Sequence, residues 1–210
     1  RRSRRPACPM SPWVKICGVT RPVDAVDARL AGANAIGINF CERSSRFCSD
    51  LLAAEVVAAL PRGFPVYGVF VDAGRDRVRQ VLAETGINGL QFHGDETNED
   101  VSGWEVPVIR AVKAADRPSV EAALAAKREA VLLLDSPLGG GSGQQIYSAL
   151  LDGLDLSRTV LAGGLDVANV AGLVRARRPW GVDCAGGVES GPGVKDRKLM
   201  TEFVNNARSA

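Results

Sequence analysis

Residues 13–40 read WVKICGVTRPVDAVDARLAGANAIGINF and contain one strand–helix–strand unit. The apolar ends of this stretch predict strands over residues 13–19 and 35–40, and the segment 21–32 between them predicts a helix. Strands that are apolar along most of their length are typical of a parallel sheet covered by helices. Crossovers between such strands are right-handed, so each unit adds a strand to the same sheet in the same sense.

The same alternation of strand and helix continues to the end of the chain. Six further apolar runs predict strands over residues 65–71, 89–94, 107–113, 130–135, 159–165 and 181–187. The segments after the second to the eighth strand cover residues 50–60, 76–86, 98–104, 119–129, 147–153, 167–178 and 195–210. Most have apolar residues at helical spacing, as Val78, Val81 and Leu82 do, but 98–104 and 147–153 are short for helices.

Eight such units in tandem predict an α/β fold, a single (β/α)8 TIM barrel over residues 13–210. The chain of 210 residues is compatible with this fold, which needs about 200 residues or more. An open, doubly wound sheet is the alternative that the pattern leaves. The absence of a linker or a shift in composition between the units favours the barrel.

The overall composition, 46% hydrophobic and 24% charged residues, is that of an average globular protein. The net charge is +2, but four arginines lie within the first five residues, so the remaining chain is slightly acidic and no nucleic-acid partner is expected.

Residues 1–12 lack the apolar segment of a secretory signal, and we interpret them as a disordered N-terminal extension. No apolar run approaches the roughly 20 residues of a membrane span, so no membrane partner is expected either.

The cysteines argue against a disulfide framework and against a zinc site. They are five in number, irregularly spaced and without a C-x-x-C pair: Cys8, Cys17, Cys41, Cys48 and Cys184. This usage is typical of a reducing compartment, so we expect a cytoplasmic protein without a metal ion.

Glycines cluster after three consecutive predicted strands, at the end of the barrel where such folds place their active sites. Gly140, Gly141 and Gly143 follow the sixth strand, Gly163 and Gly164 the seventh, and Gly186 and Gly187 the eighth. Without a side chain, the backbone N–H groups of glycine can approach an anion closely. Tight turns are the alternative interpretation, but three neighbouring clusters favour a phosphorylated small-molecule substrate.

Two reactive residues end otherwise apolar strands. Cys17 follows the first strand's apolar residues, and a nearby cation or helix terminus would lower its pKa so that it could remove a proton. Asp135 ends the run VLLLD, and partial desolvation would let it donate a proton near neutral pH. A base and an acid on opposite strands are what a proton-transferring isomerase needs, although Cys17 could also be a small core residue.

Two further polar residues fall at the same end of the predicted barrel. His93, the only histidine, follows the fourth strand and is placed at the site without an assigned proton transfer. Arg46 lies in a polar loop after the second strand, where it could bind a carboxylate through two hydrogen bonds or simply face solvent.

Taken together, the motifs resemble the phosphoribosylanthranilate isomerase family over roughly residues 13–205. They occur in the order K-I-C-G-V-T (15–20), G-V-F-V (68–71), Q-F-H-G-D-E (91–96), L-L-L-D (132–135), L-A-G-G-L (161–165), G-V-E (187–189) and P-G-V-K-D (192–196). The first-strand motif combined with Q-x-H-G at the fourth strand is specific, whereas any one of the strings alone would be weak.

This resemblance implies roles for individual residues. Cys17 matches the family's general base, Asp135 its general acid and Arg46 the residue that holds the anthranilate carboxylate. The glycines after the sixth, seventh and eighth strands match its phosphate cradle: Gly140, Gly141, Gly143, Gly163, Gly164, Gly186 and Gly187. His93, Ser142 and Asp183 are further candidate substrate-binding residues. The implied reaction is the Amadori rearrangement of tryptophan biosynthesis, which uses no cofactor and no metal. The protein is expected to be a monomer or a homodimer.

The sequence departs from the family pattern at several positions. Ser45 stands where the family has proline before the arginine, Ser142 replaces a threonine in the sixth-strand loop, and Ile146-Tyr147-Ser148 replaces F-D-W. After Asp183 the chain reads Cys184-Ala185-Gly186-Gly187, where the family has a pair of serines before G-V-E. Losing those hydroxyl donors would weaken phosphate binding, while backbone donors would remain.

Three other functions stay open on sequence alone. A related barrel isomerase of the histidine pathway has aspartate at the first-strand position where this chain has Cys17. A paralogue could isomerise a related phosphoribosyl amine, which the eighth-strand departures would fit. A non-catalytic barrel that binds a phosphorylated ligand would need neither Cys17 nor Asp135.

Overall fold

The computed structural model of the protein describes residues 11–126, 130–136 and 148–210. Eight parallel strands follow one another around a closed barrel in chain order, and the first strand pairs with the eighth to close it. The predicted (β/α)8 barrel is therefore confirmed, and the open sheet is excluded.

The barrel strands are shorter than predicted, mainly at their carboxyl ends. They are β1 Trp13–Ile16, β2 Ala35–Asn39, β3 Val66–Phe70, β4 Gly89–Phe92, β5 Val108–Lys113, β6 Val131–Asp135, β7 Thr159–Leu161 and β8 Gly181–Cys184. Glycines with positive φ turn the chain after β1 and β7: Gly18 has φ 69°, Gly163 φ 87° and Gly164 φ 63°. The predicted ends at 19, 165 and 187 were wrong because the apolar residues continue into the loops that form the site.

The helices surround the barrel and agree with the predicted segments except at their ends. They are α1 Pro22–Leu30, α2 Asp50–Ala58, α3 Arg75–Thr85, α4 Asn98–Val101, α5 Arg117–Ala125, α6 Val170–Arg177 and α7 Arg197–Arg208. The two short segments form a single α-helical turn, α4, and a 3-10 turn at Ser148–Leu151. The last helix starts later than predicted because the Asp196 side chain accepts the N–H groups of Lys198 and Leu199 and caps it.

One element was not predicted. An antiparallel hairpin of β9 Glu189–Gly191 and β10 Val194–Lys195 follows β8. Its strands are only three and two residues long, so they show no period-two pattern in the sequence. The hairpin matters because both Glu189 and Lys195 belong to the site described below.

The barrel interior is apolar at one end and polar at the other. Apolar side chains of β5, β6 and β7 fill its middle: Ile109, Ala111, Leu133, Val160 and Ala162. Trp13, Tyr67 and Trp180 pack against this cluster, and the rings of Trp13 and Trp180 stack at 5.1 Å. Between strands and helices a larger core buries Ile36, Leu90 and Phe203 among others.

The predicted N-terminal extension, residues 1–12, lies mostly outside the described residues. Of its two described residues, Ser11 is exposed and Pro12 is buried. Within the described part of the chain, every helix is too short or too polar to cross a membrane.

Candidate active site

A cavity of about 720 Å³ opens at the carboxyl ends of the strands. All the candidate residues that the structure describes line it: Cys17, Arg46, His93, Asp135, Gly163, Gly164, Asp183, Gly186 and Gly187. The remaining candidates, Gly140, Gly141, Ser142 and Gly143, lie outside the described residues. Residues from at least seven different elements and loops therefore meet in one pocket, as this fold arranges its catalytic residues.

A buried ion pair underlies the β1–β8 side of the pocket. Successive side chains of a strand alternate between its faces, so Trp13, Lys15 and Cys17 point the same way. The Lys15 Nζ lies 2.8 Å from Asp183 Oδ1, and the Lys15 side chain is completely buried. Burial lowers the pKa of Lys15, but the Asp183 carboxylate and the Cys17 thiol outweigh this and hold it above its ordinary value. Lys15 is therefore a permanent positive charge in the barrel.

This ammonium group lies next to the Cys17 thiol. Gly37 of β2 makes room for both, because a Cβ atom there would lie 2.7 Å from Cys17 Sγ and 3.1 Å from Lys15 Nζ. Burial raises the pKa of the Cys17 thiol, Lys15 opposes the shift, and Asp183 adds to it. The expected lowering of the thiol pKa was thus wrong, since desolvation exceeds the effect of the cation.

Arg46 is held by the hairpin that follows β8. Its Nε donates to Glu189 Oε1 and its Nη2 to Glu189 Oε2, each at 2.8 Å. The buried Lys195 Nζ also donates to Glu189 Oε1, at 2.7 Å. Burial raises the pKa of Glu189, but hydrogen bonds from Arg46 and Lys195 keep it below its ordinary value. The ionised Glu189 occupies one edge of the guanidinium and leaves Nη1 for another acceptor.

On the opposite side of the barrel, at β4 and β6, the side chains of Gln91, His93 and Asp135 form a chain of hydrogen bonds. His93 Nε2 lies 2.9 Å from Asp135 Oδ2, and His93 Nδ1 lies 3.2 Å from Gln91 Nε2. The other oxygen of Asp135 accepts the backbone N–H of Ser136 at 2.8 Å. Asp135 and Gln91 are each 1% exposed, and the His93 side chain is 19% exposed.

The glycine loops after β7 and β8 lie side by side. Asp166 and Gly187 form an isolated parallel bridge, and a Cβ atom on Gly187 would collide with the Leu165 carbonyl oxygen. The Asn169 side chain donates to the Gly164 carbonyl at 2.9 Å and so fixes that loop. These two loops form a wall of backbone at the place where barrels of this type commonly bind phosphate.

The structure shows where the residues after Asp183 that differ from the family pattern lie. Cys184 points away from the cavity, with its thiol donating to the Leu165 carbonyl at 3.0 Å, and burial raises its pKa to about 12. Ala185 rather than Cys184 lines the cavity. The departures that change the wall of the pocket are therefore those at Ala185 and Gly186, which both line it.

Four residues of the site were not assigned a role from the sequence: Lys15, Gln91, Glu189 and Lys195. Each stands within a quoted motif, and Lys15 is separated from Cys17 by one residue in a strand, which places the two side chains on one face. That spacing was a usable signal for Lys15. Among the described residues, no three His, Cys, Asp or Glu side chains are placed to hold a metal ion.

Comparisons with known proteins identify the family of the chain. The family model described as N-(5′-phosphoribosyl)anthranilate (PRA) isomerase matches residues 14–206. An N-(5′-phosphoribosyl)anthranilate isomerase of Myxococcus xanthus is 43% identical over 95% of this chain and 98% of its own.

Solved structures of such isomerases superimpose on the whole barrel. The Thermotoga maritima phosphoribosyl anthranilate isomerase has a TM-score of 0.85 and 34% identity, covering 95% of this chain and all of the other. A phosphoribosyl anthranilate isomerase in complex with reduced 1-(o-carboxyphenylamino)-1-deoxyribulose 5-phosphate has a TM-score of 0.81 and 32% identity, with the same coverage. The chain belongs to the N-(5′-phosphoribosyl)anthranilate isomerase family.

Proposed function

We propose that the protein isomerises N-(5′-phosphoribosyl)anthranilate to 1-(2-carboxyphenylamino)-1-deoxyribulose 5-phosphate, the Amadori rearrangement of tryptophan biosynthesis. The observation that carries the proposal is the placement of Cys17 and Asp135 on opposite sides of one cavity that also contains Arg46. The relatives are named for this reaction, and one solved neighbour holds a reduced form of its product.

In the proposed mechanism, Asp135 gives its proton to the ring oxygen of the ribose. The bond between that oxygen and C1 breaks, its electron pair stays on the oxygen, and the anthranilate nitrogen forms a Schiff base with C1. Cys17 then removes the proton from C2, and the electrons of that bond form an enolamine. The enolamine takes up a proton at C1 and loses one from the C2 hydroxyl, which gives the ketone. Protons and electrons balance, so no redox cofactor is required.

The remaining residues bind and orient the substrate. Nη1 of Arg46 is the guanidinium nitrogen that Glu189 does not engage, and we assign it to the anthranilate carboxylate. The loops of Gly163 and Gly164 and of Gly186 and Gly187 are assigned to the phosphate, together with Gly140, Gly141, Ser142 and Gly143. Lys15 is the charge that stabilises the Cys17 thiolate once it forms, because an ammonium favours an adjacent anion.

The proposal includes a cytoplasmic enzyme that acts as a monomer or a homodimer on a small phosphorylated substrate. Cys17, Cys41, Cys48 and Cys184 are all free, which supports a reducing compartment. Neither a nucleic acid nor a membrane is a proposed partner.

To test the proposal, freshly prepared phosphoribosylanthranilate is mixed with the purified protein and the decay of its fluorescence is followed over time. The product is identified by chromatography. Rapid loss of the substrate signal and appearance of the ketone support the proposal. Binding of the reduced product without turnover, by protein that is folded by circular dichroism, would instead favour a barrel that only binds. Turnover of a different phosphoribosyl amine alone would favour a paralogue with altered specificity.

A further inference from the structure

Gln91, His93 and Asp135 form a chain of side chains whose donors and acceptors are ordered. Gln91 and His93 both lie at the carboxyl end of β4, and Asp135 ends β6. The Gln91 amide nitrogen faces His93 Nδ1 at 3.2 Å, and His93 Nε2 faces Asp135 Oδ2 at 2.9 Å. Gln91 Oε1 is buried and has no hydrogen-bond partner among the described residues, so His93 alone orients this amide.

This order fits one tautomer of the neutral imidazole. An amide NH₂ group can only donate, so Nδ1 facing it must accept and cannot bear hydrogen. A neutral imidazole has one N–H, which must then be at Nε2, where it donates to Asp135. Reversing the amide would present its carbonyl to Nδ1 and would favour the opposite tautomer.

The two oxygens of Asp135 are consequently different. Oδ2 is held by His93, whereas Oδ1 accepts the backbone N–H of Ser136 at 2.8 Å. Gly163 keeps the space beside Oδ1 open, because a Cβ atom there would lie 2.7 Å from this oxygen. Gly163 also lines the substrate cavity.

We propose that Gln91 and His93 are positioning residues for Asp135: Gln91 holds His93 as the Nε2–H tautomer, His93 fixes Oδ2, and Oδ1 delivers the proton. The proposal rests on the acid role of Asp135 given above. When Oδ1–H gives its proton to the ribose ring oxygen, the negative charge left on the carboxylate is stabilised by the N–H that His93 already donates. A donor in place before the charge forms needs no reorganisation during the reaction.

The first test is the tautomer of His93 by nitrogen NMR of protein with labelled imidazole near neutral pH. His93 is the chain's only histidine, so the spectrum contains one imidazole. We expect Nε2 to show its bonded proton and Nδ1 to have the shift of an unprotonated nitrogen. A proton on Nδ1, alone or together with one on Nε2, would overturn the proposal.

Two variants of Gln91 sharpen this measurement. Gln91→Glu presents only acceptors, so the proton is expected to move to Nδ1. Gln91→Leu presents neither donor nor acceptor, so only Asp135 Oδ2 still favours Nε2–H and the preference for this tautomer is expected to weaken. An unchanged Nε2–H form in both folded variants would show that Gln91 does not set the tautomer.

The second test compares His93→Gln with His93→Leu, which differ in whether a side-chain N–H can reach Asp135. We expect His93→Leu to reduce kcat by about 10- to 100-fold with little change in KM, and His93→Gln to recover most of that loss. Equal kcat values would contradict the proposal. An inactive wild type that still shows the Nε2–H form would count against the isomerase function alone, whereas an active wild type with Nδ1–H would count against the positioning role alone.

Discussion

The two sides of the cavity hold their reactive groups in different ways. On the β1–β8 side, full charges surround Cys17: Lys15 pairs with Asp183, and Arg46 and Lys195 share Glu189. On the β4–β6 side, Gln91 and His93 hold Asp135 through a single chain of hydrogen bonds. The difference fits the proposed chemistry, because a thiol that must become an anion benefits from a fixed cation. A carboxylic acid that must release its proton needs only a donor for the resulting charge.

The contrast also predicts different costs of disruption. Removing one partner of a buried ion pair leaves an uncompensated charge, which costs about 3–5 kcal/mol. Removing one partner of a buried hydrogen bond costs about 1–3 kcal/mol. Variants on the β1–β8 side should therefore lose stability as well as activity, whereas variants on the β4–β6 side should mainly lose activity.

The largest effect on stability is expected from Asp183→Leu. It leaves the Lys15 ammonium completely buried without its partner, so the free energy of unfolding should fall by about 3–5 kcal/mol. Urea unfolding measures this change. The control is the double variant Lys15→Met/Asp183→Leu, which removes both charges and should recover most of the loss. A loss below about 1 kcal/mol in the single variant would remove the central difference between the two sides.

A smaller effect is expected when the pH is raised, and it too arises on the β1–β8 side. Burial raises the pKa of Cys184 to about 12, whereas a thiol in the unfolded chain titrates near 8.5. The contribution of Cys184 to the free energy of unfolding is thus fully present below about pH 8.5. It is lost progressively as the pH rises toward 12, by about 2 kcal/mol at pH 10. Urea unfolding at pH 8 and pH 10 measures the loss, and Cys184→Ala should reduce it. An equal loss in that variant would assign the effect to other groups.

The smallest effect is expected from Arg46 and is measured on substrate binding; its removal still leaves Glu189 paired with Lys195. Arg46→Ala removes the guanidinium assigned to the substrate carboxylate and should raise KM by about tenfold, with a smaller change in kcat. The matched variant Arg46→Lys keeps the charge but cannot bind Glu189 with one edge and the substrate with Nη1 at once, so its KM should lie between those of the wild type and Arg46→Ala. Steady-state kinetics measures both, and an unchanged KM in Arg46→Ala would exclude Arg46 from substrate binding.

The sequence predicted the barrel and the placement of its candidate site for a physical reason. Strand and helix periodicities are local, and a closed barrel brings every strand end to the same rim. Cys17, His93 and Asp135 could therefore be placed in one cavity from their positions in the chain alone.

Side-chain pairing across the barrel could not be predicted in this way. Arg46 and Glu189 are separated by 143 positions, and nothing local to either residue indicates the other. The short β9–β10 hairpin that presents Glu189 has no periodic pattern, so it was missed. The direction of the Cys17 pKa shift was wrong because burial of the thiol depends on Gly37 and other residues of neighbouring strands. The role of Gly140, Gly141, Ser142 and Gly143 in phosphate binding stays a prediction, because these residues lie outside the described part of the chain.

The central claim is that a base at Cys17 and an acid at Asp135 act from opposite sides of the cavity. The most direct test is a single-turnover fluorescence assay of phosphoribosylanthranilate with excess wild type, Cys17→Ser and Asp135→Asn, beside titrations with the reduced product. We expect each variant to slow turnover by at least about 100-fold while it stays folded and still binds the reduced product. Turnover near the wild-type rate in either variant would exclude the proposed role of that residue.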